Sequence, residues 1–231
     1  MNTSDSIAIS ALLPMRHYSE RVPGKNYRSF ADKPLYQHQL DTLLQIPVIQ
    51  QVIIDTDSPL IREQVAAAYP QVTLLERPEQ LRDPAESMNN IIAHDLNYVE
   101  TEWIVQTHST SPLLQRETYE RAIRKLQQNT EIDSLFGVTR LQTRLYNEQG
   151  KPINHNPDEL LRTQDLPPVY EENSAFYFFT KTGFIQHHNR IGSHPYLLEV
   201  PVLEAVDIDY EEDFQLAECI YHTHFQTSTN L

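Results

Sequence analysis

The sequence predicts an α/β domain with a mainly parallel sheet, on three observations. Short apolar runs recur along the chain, stretches with apolar residues at helical spacing separate them, and the first run opens straight onto a polar loop. Residues 7–13, IAISALL, read as a strand buried on both faces of a parallel sheet, because the run is almost continuously apolar. Further strand-like runs follow at 48–54, 72–75, 103–105 and 134–138. Helical stripes lie between and after them: Tyr36, Leu40, Leu43 and Leu44; Ile61, Val65, Ala68 and Tyr69; Met88, Ile91, Ile92, Leu96 and Val99; Tyr119, Ala122, Ile123 and Leu126; Phe214, Ala217, Ile220 and Tyr221. Such alternation is the pattern of right-handed βαβ units.

The chain has 231 residues, enough for one such domain, and its 39% hydrophobic and 22% charged residues are ordinary globular values, which excludes a disordered chain. A net charge of −14 argues against nucleic acid and anionic membranes as partners, since both are bound by neutralising many phosphates. No apolar stretch approaches the roughly 20 residues of a membrane span. Residues 1–6 lack the features of a signal peptide, and the single cysteine, Cys219, excludes an internal disulfide framework. A cytoplasmic location is expected. Cys219 falls within a helical stripe and is expected in the core.

From 140 to 172 the periodicity lapses into a polar, proline-bearing segment, too long for a plain loop in a compact domain and therefore expected to be an extension with its own task. Dimer contact and substrate closure are the two candidates. Regular pattern resumes with a β-prone aromatic run at 175–179 and ends in a helix over 213–221.

The loop after the first run, MRHYSERVPGKN, carries Arg16, Arg21 and Lys25 as charges and Ser19 and Asn26 as neutral hydrogen-bonding groups, with Gly24 letting backbone approach a ligand. In an open α/β sheet ligands bind beyond the carboxyl ends of the strands, where this loop lies. Three cations so close together repel one another unless an anion offsets them, so the loop suits a polyphosphate better than solvent. Neither a Walker loop nor a dinucleotide fingerprint is present. Far along the chain, Asp207-Ile208-Asp209 at a strand end directs two carboxylates to one side. Hard oxygen ligands of this kind suit Mg2+. The same acids, with Glu211, Glu212 and Asp213, also suit the N-terminus of the following helix, and both readings stand at this point.

The stretch LLPMRHYSERVPGKNYRSFADKPLYQHQLDTLL resembles the N-terminal signature of the CMP-sugar synthetase (acylneuraminate cytidylyltransferase) family, R-x-x-S-x-x-[IVL]-P-G-K-N followed by a helix start. Further blocks follow in family order: VIIDTDS, RPEQLRDPAES, TSPLLQRETYERAI, RTQDLPPVYEENSAFYF and EAVDIDYEEDFQLAE, together spanning nearly the whole chain. The resemblance implies a single cytidylyltransferase domain over 1–231, a three-layer α/β/α nucleotidyltransferase fold with a mainly parallel sheet, and an inserted arm at 140–172 that makes a homodimer and reaches a partner's sugar site. It implies transfer of CMP from CTP to the anomeric hydroxyl of a 2-keto-3-deoxy sugar acid, releasing pyrophosphate, with Mg2+ as cofactor.

Carried over by motif, Arg16, Ser19, Arg21, Lys25 and Asn26 hold CTP phosphates, and Arg77 with Ser87 lies near the nucleotide. His108, Gln164, Asp165 and Asn173 fall in sugar-associated blocks, and Asp207 and Asp209 take the metal. Arg16, Lys25 and Asp209 are the catalytic candidates, positive and metal-borne charge being the main means of stabilising phosphoryl transfer. Departures bear on the substrate: His108 stands where a glutamine often faces the sugar, Ser174 replaces the glycine of N-G-A, and Arg21 matches the variant of pseudaminic-type members. The expected substrate is a sialic-acid-like nonulosonic acid. The alternatives are 3-deoxy-manno-octulosonate and a catalytically silent, nucleotide-binding homologue.

Overall fold

The computed structural model describes residues 7–226. In chain order the strands are β1 (Ile9–Leu12), β2 (Ser29–Phe30), β3 (Lys33–Pro34), β4 (Ile49–Thr56), β5 (Thr73–Glu76), β6 (Trp103–Thr107), β7 (Ser134–Leu141), β8 (Val169–Thr180) and β9 (Pro195–Glu199). The helices are α1 (Leu35–Leu44), α2 (Pro59–Ala68), α3 (Met88–Asp95), α4 (Arg116–Gln128), α5 (Lys181–His187) and α6 (Glu211–Ile220). Seven strands form one sheet in the order β5-β4-β1-β6-β8-β7-β9, while β2 and β3 make a separate hairpin. The pairs β1–β4, β1–β6, β4–β5 and β7–β9 are parallel, and β8 alone runs antiparallel, between β6 and β7.

Successive side chains of a strand point to opposite faces, and this sheet is apolar on both. Ile9, Ala11, Val105, Phe176 and Phe178 pack on one side against apolar residues of α1, α2 and α4, such as Tyr36, Leu40, Ile61, Val65, Tyr119 and Ile123. Leu12, Ile53, Ile104, Tyr177 and Phe179 pack on the other against Ile92, Leu96 and Phe184 from the region of α3 and α5. The result is three layers. A third cluster gathers Val22, Phe30, Leu35, Ile208, Phe214 and Ala217, which seats α6 beside the β2–β3 hairpin.

The structure differs from the sequence expectation in four places. Strand pairing persists to Leu141 and Val169, so the irregular part of the 140–172 segment is shorter than expected. The outer half of this hairpin is exposed and polar, which removes the periodic signal while the ladder continues. Short α5 and the Pro195-initiated edge strand β9 were not expected, the first being too short to show a stripe and the second carrying proline where only an edge or first strand residue tolerates it. Asp207-Ile208-Asp209 is an extended loop before α6, not the end of a strand. Cys219 is exposed, because it lies about 200° around α6 from core-facing Ala217.

Phe178 is fully buried in the larger cluster. Phe178→Ala should lower the unfolding free energy by about 3–5 kcal/mol in a denaturant titration. A loss under about 1 kcal/mol would mean that this layer is not close-packed.

Candidate active site

The parallel strands β4, β1 and β6 all end on one edge of the sheet, and an open cleft of about 560 Å3 lies there. It is lined by the loops that leave those strands, by residues from the 77–91 segment after β5, and by Ser174, Arg190, Asp207 and Asp209. The strand-end loops of an α/β sheet thus meet a segment that arrives from 180 residues further along.

Residue by residue, the cationic loop and the acidic pair converge. Arg21 Nη2 donates to Asp209 Oδ1 at 2.8 Å, and Lys25 Nζ lies 3.8 Å from the same oxygen. Lys25 Nζ also donates to the Ile208 carbonyl at 2.5 Å. Burial pushes the Lys25 ammonium down, while Asp207 and Asp209 pull it back up. Arg28 forks onto Glu211 at 2.6 and 2.7 Å and lies over the Phe214 ring, so the loop is clamped to the start of α6. Ile208 points into the core with its backbone N–H bonded to the Thr110 carbonyl, which leaves Asp207 and Asp209 on the cleft side. Asp213 fills the helix-capping role by accepting from the N–H groups of Asp209 and Tyr210, so the Asp209 side chain is left for the cleft.

Asn26 is buried; its Nδ2 donates to the Arg16 carbonyl at 2.6 Å, and its Oδ1 accepts from Ser109 at 2.7 Å. It ties the cationic loop to the loop after β6. Arg16 donates to the Pro84 carbonyl across the cleft mouth, and Ser19 lines the same wall. Gly24 does not line the cleft. Its φ of +67° opens the short turn that carries Lys25, and a Cβ there would meet the Tyr27 ring at 2.8 Å.

Other expected residues are placed differently. Arg77 borders the cleft, but its guanidinium is turned to Asp55, with Nε 2.6 Å from Oδ1. Ser87 caps α3 at the rim, accepting from the Asn89 N–H. Asn173 turns away from the cleft: its Nδ2 donates to Thr139, and its Oδ1 takes the space that a Cβ on Gly137 would fill. Gln164 and Asp165 sit in the irregular segment outside the cleft, Asp165 paired with Arg162.

Of two further cleft residues, Ser174 was noted in the sequence as a departure from N-G-A, whereas Arg190 gave no sequence signal. Arg190 donates to Gln106 Oε1 at 2.5 Å and lies 3.5 Å above the centre of the Tyr177 ring. Both of these contacts are neutral groups; burial pulls the guanidinium down from its usual range, and Tyr177 and the Glu172 carboxylate pull it partly back. Ser174 holds a left-handed backbone, φ +58°, at the register shift of β8. The Gln106 amide, fixed by Arg190 at its oxygen, donates through Nε2 to His108 Nε2 at 3.0 Å, so that ring nitrogen is an acceptor and the imidazole is neutral. Burial, followed by the charges of Arg190 and Lys25, pushes His108 down to about 3.

The cytidylyltransferase family model matches residues 10–226. The chain belongs to the cytidylyltransferase family. This cytidylyltransferase is 24% identical over 230 residues to the pseudaminic acid cytidylyltransferase of Campylobacter jejuni, covering 94% of this chain and 97% of that one. It is 30% identical over 217 residues to N-acylneuraminate cytidylyltransferase A of Danio rerio, 91% of this chain and 50% of that one. It is 27% identical over 225 residues to the CMP-N,N'-diacetyllegionaminic acid synthase of Legionella pneumophila, 91% and 94% of the two chains. Its fold matches the 4-diphosphocytidyl-2C-methyl-D-erythritol synthase of Anaerococcus prevotii, with a TM-score of 0.71 at 12% identity over 96% of this chain and 100% of that one. It also matches a CMP:2-keto-3-deoxy-manno-octonic acid synthetase complexed with CTP, with a TM-score of 0.67 at 14% identity over 93% and 98%.

A histidine pKa held below its unfolded value makes acid destabilising. Between about pH 6.5 and 3 the unfolded chain takes up a proton at this residue that the folded cytidylyltransferase refuses, so stability falls with pH by up to about 1.4 kcal/mol per unit. His108→Gln should therefore flatten the fall in stability between about pH 6 and 5 in denaturant titrations. An unchanged slope would place His108 in ordinary contact with water.

Proposed function

We propose that this cytidylyltransferase transfers CMP from CTP to the anomeric hydroxyl of a sialic-acid-like nonulosonic acid and releases pyrophosphate. The observation that carries the reading is the meeting of Lys25 and Arg21 with Asp209 in one cleft at the strand ends. The names of the pseudaminic, N-acylneuraminate and legionaminic relatives support the substrate class. A cytoplasmic location accords with CTP as donor.

The hydroxyl oxygen bonds to the α-phosphorus, the bond to the pyrophosphate oxygen breaks, and the hydroxyl proton departs. Negative charge grows on the phosphate oxygens and the leaving group, so cations fixed in advance lower the barrier. Arg16, Arg21 and Lys25 fill that role from one wall, with Ser19 and Asn26 shaping the loop. Burial pushes the Asp207 carboxyl up, the Thr110 hydrogen bond opposes this and Asp209 adds to the rise, so a cation bound here would favour the ionised pair. The donor set fits Mg2+, which takes one or two carboxylates alongside phosphates and water. Bound there, Mg2+ would supply further neutralisation of the triphosphate. On the inner wall, Arg190 is a cation whose direct contacts, Gln106 and the Tyr177 ring, are neutral, suited to the carboxylate that every such sugar acid carries.

The experiment is pyrophosphate release from CTP and Mg2+ across pseudaminic, legionaminic and N-acetylneuraminic acids and 3-deoxy-manno-octulosonate. Turnover with at least one nonulosonic acid, and a rise of tenfold or more in its KM in Arg190→Leu with the KM for CTP unchanged, is the expected result. Turnover with octulosonate alone moves the substrate class, and CTP binding without turnover on any acid points to a silent homologue.

The segment 140–172 is proposed as the arm of a homodimer that reaches the partner's cleft. Leu160 is 92% exposed, and Tyr146, Ile153 and Leu161 are also exposed, an apolar surface suited to a second copy. Gln164 and Asp165 then serve the other subunit, which accounts for their distance from their own cleft. Inactive Lys25→Ala and Gln164→Ala proteins, unfolded and refolded together, should regain about a quarter of wild-type turnover, since half of randomly paired dimers hold one intact cleft. No recovery in a mixture that forms dimers would confine each arm to its own chain.

A further inference from the structure

Beneath Arg77, three groups with metal-ligating atoms face one another. Asp55 lies near the end of β4, and His94 and Asp95 end α3. Asp55 and Asp95 are fully buried, and one ligand atom from each of the three residues lies within 4.8 Å of the other two. His94 Nδ1 is 3.1 Å from Asp95 Oδ1 and 3.6 Å from Asp55 Oδ2. Such separations are the edges of a coordination shell: metal bonds of about 2.1 Å put neighbouring ligand atoms roughly 3.0–3.4 Å apart in octahedral or tetrahedral geometry.

A second observation points the same way. Asp55 Oδ2 is buried and has no hydrogen-bond partner, although its sister oxygen Oδ1 holds Arg77 at 2.6 Å. A carboxylate oxygen sealed from water needs a donor or a cation. With one guanidinium against two buried carboxylates, the second acid needs either a proton or a cation; burial and the Asp55 charge push the Asp95 carboxyl up, a rise that a bound cation would oppose.

We propose that Asp55, His94 and Asp95 bind one divalent transition-metal ion, at a site separate from the Asp207 and Asp209 pair and independent of the substrate reading. The imidazole nitrogen selects a transition ion such as Mn2+, Co2+ or Zn2+ over Mg2+, which prefers oxygen throughout. The His94 side chain is partly exposed and gives the ion its route in. Arg77 remains on Oδ1 while the ion takes Oδ2, so guanidinium and metal bind opposite oxygens of one carboxylate. The ion would pin α3 to β4 and, through Asp55, fix the arginine that borders the cleft.

The test uses the full-length protein stripped by a chelator and then titrated with Co2+, followed by visible absorption, with the unfolding midpoint measured alongside for Co2+, Mn2+ and Zn2+. Wild type should bind one equivalent of Co2+ and rise by roughly 5–10 °C at a hundredfold excess over the dissociation constant. Asp95→Asn should abolish both signals, His94→Gln should weaken binding at least tenfold, and Asp209→Asn should leave both intact. No binding by wild type would overturn the proposal and leave a proton shared between Asp55 and Asp95 as the balancing charge. Equal binding by Asp95→Asn would place the ion elsewhere. Should Asp95→Asn fail to fold, His94→Gln decides alone, because its side chain reaches the surface.

Discussion

A lysine that is nearly buried must find its counter-charge within the chain, and here the partner is Asp209, 184 residues further along. Lys25 meets the Ile208 carbonyl and the Asp209 carboxylate, and everything around the cleft is arranged so that this can happen. Ile208 anchors the acidic segment in the core, Asp213 takes over the capping of α6, and Arg28 grips Glu211. Removing the anchor would free two carboxylates and strand Arg21 and Lys25, so the packing of one isoleucine underlies the electrostatics of this wall. The loop and the acids also constrain each other's charge states: burial alone would drive the lysine toward neutrality and the Asp207 carboxyl toward protonation.

Much of this was legible in the sequence because it rests on local pattern. The five parallel strand runs announce themselves by apolarity, five helices by a clear stripe, and the cation-rich loop by its position after the first strand. The acidic pair was legible as a pair even though its strand does not form, since an extended loop alternates its side chains much as a strand does. Arg190 was not legible. It lies in the polar stretch HHNRIGS, and its place is set at a distance: Ser134 and Asp133 bind the N–H groups of Gly192, Ser193 and His194 and so hold the segment against the sheet. No periodicity records such an anchor. The outer hairpin of β7 and β8 was illegible for a different reason, because backbone pairing continues there after the apolar alternation has ended.

Asp55 and Asp57 show how two residues of one short block part company. In VIIDTDS, Asp57 lies at the cleft and accepts the N–H of His17, whereas Asp55 is drawn inward to Arg77. Strand alternation would place them on the same side, and the end of β4 at Thr56 is what separates them. The arginine assigned to the nucleotide by its block is thus held by an acid beneath the cleft, and its contribution to the wall is one of shape and backbone as much as of charge.

The long strand β8 begins at the root of the exposed segment, passes the left-handed Ser174 beside the cleft, and ends between two core strands. One strand therefore joins the periphery to the interior through a single left-handed residue. Tyr177, three residues on, carries the Arg190 guanidinium, so the backbone that roots the outer hairpin also sets the height of the cleft's inner wall. Inserting or deleting one residue in that strand would turn its core face outward and unseat the arginine at the same stroke.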